Sequence, residues 1–138
     1  MEGMTKYYVD SCIWLNLLNR ERTIIQGLPV WKIAEEFLKQ KKGNIVVSEK
    51  IIREISDKIS MEQMKEMARY AETVEMTEEE YSFAQESESK EDYNLSFFDC
   101  MHIAMCTKKN LILVTRDREL ITRGNKYVLT AKPEQFMY

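Results

Sequence analysis

Three short runs, YYV at 7–9, NIVV at 44–47 and LILVT at 111–115, are almost wholly apolar, and each is followed by a longer stretch with helical spacing. Strands that lack polar alternation are buried on both faces, and the intervening helices are what cover them. TVEM at 73–76 and KYVLT at 126–130 read as two further strands. Strands separated by helices imply a mostly parallel sheet with helices on both sides, so the fold class is α/β.

The helical segments carry their own punctuation. SCIWLNLLN follows the first strand, and PVWKIAEEFLKQKKG places Pro29 in a first turn and Gly43 at an end. Ser48 suits the N-cap of EKIIREISDKIS, which buries Ile51, Ile52, Ile55 and Ile59. MEQMKEMARYA at 61–71 sets Met64, Met67, Ala68 and Ala71 on one stripe, and TEEEYSFAQE begins with an acidic turn that suits the helix dipole. LSFFDCMHIAMC at 95–106 is apolar on nearly every side, and RDRELITR makes a short helix after the fourth strand. ESESKEDYN at 86–94 is charged enough to read as an exposed loop or a mobile helix end. With 4 Gly, 2 Pro and no repeat or linker, residues 1–138 are expected to form one domain.

Several function classes recede on composition. No apolar run approaches the roughly 20 residues that cross a bilayer, and MEGMTKYYVD has no basic start followed by an apolar stretch, so a cytoplasmic location is expected. The three cysteines, Cys12, Cys100 and Cys106, fit free thiols better than a disulfide framework. Cys106 lies one turn beyond His102, but zinc wants four ligands and no second Cys or His cluster supplies them; both cysteines of that helix read as small core residues. The formal net charge of −3 lacks the basic balance of proteins held to nucleic acid by charge alone. Local patches matter more than the total, and KQKK (39–42), KK (108–109) and RDR (116–118) are the basic clusters, with surface solvation as their plain alternative.

Ligands in open parallel sheets collect beyond the carboxyl ends of the strands. Four acids fall near that rim: Asp10 directly after the first strand, Glu54 on the helix leaving the second, Asp99 in the helix feeding the fourth, and Asp117 two residues past Thr115. Each has an ordinary explanation. Asp10 and Asp117 fit helix N-caps, Ser96 to Asp99 fits the S-x-x-D form of a capping box, and Glu54 lies off the isoleucine stripe. Glu49 competes with Glu54, and periodicity alone does not choose between them. Together, however, four carboxylates at one rim repel each other, and a cation reverses that cost. Oxygen ligands suit Mg²⁺ or Mn²⁺, and such a centre hydrolyses phosphodiesters.

The same residues resemble the PIN-domain family, especially its small VapC-type toxin ribonucleases. YYVD ends a strand in Asp10, VVSEKIIRE carries Glu54 in the next helix, Asp99-Cys100-Met101-His102-Ile103-Ala104 is similar to the family's D-A-L-H-I-A helix, and LILVTRDREL ends a strand T-x-D at Thr115 and Asp117. YVLTAKPEQF is similar to the closing strand and tail, so the resemblance spans roughly residues 6 to 136. It implies a three-layer α/β/α sandwich on a five-stranded parallel sheet, a divalent-metal site and endoribonuclease activity on RNA. It also implies frequent homodimers and, in the toxin branch, an antitoxin partner. Asp10, Asp99 and Asp117 are then direct or water-bridged ligands, Glu54 completes the cluster, and Thr115 supports it from behind. A processing nuclease outside any toxin system, or a PIN-like binding module that does not cleave, are the alternatives.

Of the other residues, His102 reads as a core histidine, and Arg116 and Arg118 as phosphate grips or surface charge. Trp14, Leu17, Leu18 and Trp31, with nine methionines, point to a partner groove near the helices of residues 12–38.

Overall fold

The computed structural model describes residues 5–137. Its spine is β1 (Tyr7–Val9), a strand whose Tyr8 and Val9 are fully buried, flanked in parallel by β4 (Ile45–Ser48) and β6 (Ile112–Val114). β5 (Ala71–Val74) and β7 (Thr130–Ala131) extend the two edges, giving a five-stranded parallel sheet in the order β5-β4-β1-β6-β7. The chain moves outward from β1 to β4 and β5, then returns across β1 to β6. The order therefore reverses beside the central strand, where a crevice opens at the carboxyl ends of β1 and β6.

Helices cover both faces in a three-layer α/β/α arrangement. α1 (Ser11–Leu18) buries Ile13, Trp14, Leu17 and Leu18, and the Trp14 indole donates to Val9 O at 3.1 Å. α1 packs on α2 (Val30–Gln40), α3 (Glu49–Ile55) and α4 (Met61–Ala68). Trp14, Leu17 and Leu18 are thus core, while Trp31 is half-buried, with Arg20 lying 5.2 Å over its ring. α5 (Glu78–Lys90) runs along α6 (Phe97–Lys109), and α7 (Arg118–Gly124) closes on β7. Among the described residues no helix is long and apolar enough to cross a membrane.

Several elements differ from the sequence-based expectation. β7 is Thr130–Ala131 rather than 126–130, because the chain after α7 is still turning at Lys126 and Tyr127. β5 lies at 71–74 rather than 73–76, because α4 stops at Ala68 and frees Ala71 to pair with Ile45. Of the two readings of 86–94, it is the helix end and not the loop: Thr77 and Glu80 form a capping box, and α5 continues to Lys90 before Asp92 and Tyr93 turn with positive φ. A small hairpin, β2 (Ile24–Ile25) with β3 (Leu28–Pro29), precedes α2, turning on Gln26 (φ 52) and Gly27 (φ 83). Two successive positive φ angles are what a two-residue hairpin turn demands. Pro29 consequently caps α2 instead of entering its first turn.

Candidate metal centre

The sheet fixes the first acid. Asp10 N donates to Val114 O at 2.9 Å, continuing the β1–β6 ladder by one residue. The Asp10 carboxyl is then held from two sides, Oδ1 by Ser11 N and Oδ2 by the Thr115 hydroxyl, each at 2.8 Å. Thr115 is fully buried and its Oγ1 also accepts from Asp117 N at 3.1 Å. One hydroxyl therefore couples the ends of β1 and β6. Asp117 is exposed and caps α7, its Oδ1 accepting from Leu120 N. Its expected capping role and its place at the rim coexist.

Asp10, Glu54, Asp99 and Asp117 all line one cleft of about 370 Å³, together with Ser11, Cys12 and Arg116. They are not equally close. The tight group is Asp10, Glu54 and His102, whose ligand atoms lie within 4.8 Å of one another, with Asp99 and Asp117 farther round the mouth. Glu49 lines a different hollow with Met76 and Tyr81, so Glu54 is the acid of α3 that faces this cleft.

The electrostatics record the crowding. Burial, then repulsion from Asp10 and Asp117, pushes the Asp99 carboxyl up to about 6 despite the opposing influence of His102. Ser96 Oγ accepts from Asp99 N at 3.1 Å, so the expected N-cap is formed while the carboxyl lines the cleft. Glu54 is shifted the other way, below its ordinary range, chiefly by the His102 imidazole facing it. At 3.8 Å from Glu54 Oε1 and 3.9 Å from Asp10 Oδ1, His102 Nε2 stands just beyond hydrogen-bond reach of both. Glu54 Oε1 and His102 Nε2 are both buried without a hydrogen-bond partner. An orphaned carboxylate oxygen beside a second carboxylate fits a hard divalent cation, which supplies the missing positive charge.

His102 is only partly the core histidine expected. Its Nδ1 is satisfied inside, 2.6 Å from the Tyr8 hydroxyl, but its other nitrogen looks into the cleft. Its one-turn spacing from Asp99 was the available clue. Arg116 also lines the cleft, yet its guanidinium is committed to Glu134 through two bonds of 3.0 and 2.8 Å. Arg118 is exposed. Cys12 Sγ accepts from Arg116 N, and burial with Asp10 nearby pushes its thiol up to about 11, an unreactive neighbour. Cys106 is fully buried and lies outside the cluster, as a small core residue does.

The family model for the PIN domain matches residues 7–125. The chain belongs to the PIN domain family. Solved structures share its fold at low identity. VapBC2 from Rickettsia felis bound to a DNA fragment from its promoter is 14% identical, with TM-score 0.70 over 92% of this chain and 98% of that one. DNA-bound VapBC from Salmonella typhimurium is 12% identical, with TM-score 0.68 over 94% and 99%. PAE2754 from Pyrobaculum aerophilum is 15% identical, with TM-score 0.65 over 91% and 89%. The sequence has no significant match among curated proteins.

Proposed function

We propose that this PIN domain is a divalent-metal-dependent endoribonuclease and the toxin of a toxin–antitoxin pair. The observation that carries the reading is the single cleft at the switch point of the sheet, lined by Asp10, Glu54, Asp99 and Asp117 from four separate segments. Bound Mg²⁺ or Mn²⁺ supplies an activated water and neutralises phosphate charge there. Asp10, Asp99 and Asp117 are the proposed ligands, with Glu54 reaching the ion directly or through water. Thr115 sets the angle of Asp10 by donating to Oδ2. Asp99, with its carboxyl pushed up to about 6, is the acid whose charge depends most on a cation in the cleft.

The toxin role draws on the company the fold keeps, since the neighbours include VapBC assemblies and FitAcB from Neisseria gonorrhoeae. An antitoxin that occludes the cleft, a homodimer and a cytoplasmic setting complete the proposal.

Purified protein is expected to cut RNA with Mg²⁺ or Mn²⁺ and to stop when a chelator is added. Asp10→Asn and Asp99→Asn should each lose activity beyond the roughly 100-fold that an outer-shell partner costs, with circular dichroism unchanged. Full cleavage by both variants would remove the assignment.

A further inference from the structure

His102 is 1% exposed and sits between the sheet and the cleft. Its Nδ1 lies 2.6 Å from Tyr8 Oη, Tyr8 Oη lies 2.7 Å from Ser48 Oγ, and Ser48 Oγ accepts from Ile51 N at 3.2 Å. Tyr8 and Ser48 are both fully buried. Each hydroxyl has one hydrogen to place, so the chain has a direction.

If Ser48 donates to Tyr8 and Tyr8 donates to Nδ1, both hydroxyl hydrogens find an acceptor. If instead Nδ1–H donates to Tyr8 and Tyr8 donates to Ser48, the Ser48 hydrogen has no acceptor among the described residues. Burying an unused hydroxyl hydrogen is unfavourable. Met105 Sδ, 3.8 Å from Tyr8 Oη, offers only a weak alternative to Nδ1. The first direction leaves the hydrogen on Nε2, turned toward Asp10 Oδ1 and Glu54 Oε1. That is also the orientation two carboxylates favour.

We propose that His102 is a positioning residue: a Ser48–Tyr8–His102 relay fixes the Nε2–H tautomer, which draws the Asp10 and Glu54 carboxylates together and keeps the imidazole from coordinating metal itself. The proposal rests on reading the cleft as a metal centre. Asp10 ends β1 and Glu54 rides on α3, so a donor from α6 aligns acids that share no backbone element. With the imidazole withheld, the donor set is oxygen alone, the set that suits Mg²⁺ and Mn²⁺ over softer ions.

His102 is the one histidine of the chain, so ¹⁵N-histidine labelling gives a single ring to assign. Long-range ¹H–¹⁵N spectra recorded above neutral pH, where an ordinary imidazole is uncharged, should show hydrogen on Nε2 and a bare Nδ1. Adding Mg²⁺ should leave that pattern in place, and Tyr8→Phe should mix the two tautomers. Mn²⁺ titration followed by electron paramagnetic resonance should show His102→Leu binding about 10- to 100-fold more weakly. His102→Gln, which keeps a donor at similar reach, should restore most of the affinity. Hydrogen on Nδ1 in the wild type, a ring-nitrogen coupling to bound Mn²⁺, or a folded Leu variant that binds Mn²⁺ like the wild type would each overturn the proposal. Should His102→Leu not fold, the wild-type tautomer decides. A wild type that binds no Mn²⁺ overturns the metal reading beneath it, an outcome distinct from Mn²⁺ binding through the ring.

Discussion

Asp99 is held in the first turn of α6, among buried neighbours and within the fields of Asp10 and Asp117. Its carboxyl titrates near 6 rather than 3.8, so the folded protein binds a proton more tightly there than the unfolded chain. Stability is accordingly favoured below pH ~4 and lost as pH rises toward ~6, with the cost at full size above that. Moving the carboxyl from 3.8 to about 6 corresponds to about 3 kcal/mol, which solvent screening at this partly open position cuts to about 1 kcal/mol. Asp99→Asn without divalent metal should therefore raise the melting temperature at pH 8 by roughly 3 to 5 °C, with no gain at pH 4, while the same variant assayed with Mn²⁺ loses cleavage. The gathering of Asp10, Asp99 and Asp117 at one cleft was legible because each follows a strand end or a helix start, whereas spacing left Glu54 level with Glu49 and only the family resemblance favoured it. The second face of His102 was not, since a lone histidine on an apolar helix gives no sign of which neighbour its outer nitrogen meets. Nor was the Arg116–Glu134 pair, which depends on how the chain end folds back over the cleft.

At the level of elements, the end of α5 is tied down by Glu91. This carboxylate is 4% exposed and accepts from Arg123 at 2.8 Å, Lys126 at 2.9 Å and the Tyr127 hydroxyl at 2.9 Å. Arg123, then Lys126, hold it at about 2, below the ordinary 4.5. Its contribution is present above pH ~4.5 and is lost as pH falls toward ~2. Glu91→Gln should cost roughly 2–3 kcal/mol at neutral pH by denaturant unfolding, and the difference from wild type should shrink in acid. That network explains why the acidic run, open to a loop or a helix end on sequence, is the end of a helix: cations 32 and 35 residues away neutralise it. The β2–β3 hairpin was missed for a different reason, because Gln26 is not a residue that advertises positive φ. The main strands β1, β4 and β6 were legible from apolar runs alone.

Over the whole molecule, the parallel sheet agrees with what strand–helix alternation implied, and the family match with the motif resemblance. A folded protein that binds a cation its unfolded chain does not is stabilised by mass action, by about 2.7 kcal/mol at one hundred times the dissociation constant. Saturating Mn²⁺ should therefore raise the melting temperature, chelator should reverse the rise, and Asp10→Asn should blunt it, all read by scanning calorimetry. The central place of β1 has one more result. The two central strands are far apart in sequence: β1 ends at Val9, while its neighbour β6 begins at Ile112 and Asp117 follows still later. Asp10 therefore has no cleft of its own: the residues that face it arrive only when β6 docks beside β1, so loss of that one pairing disperses the acids.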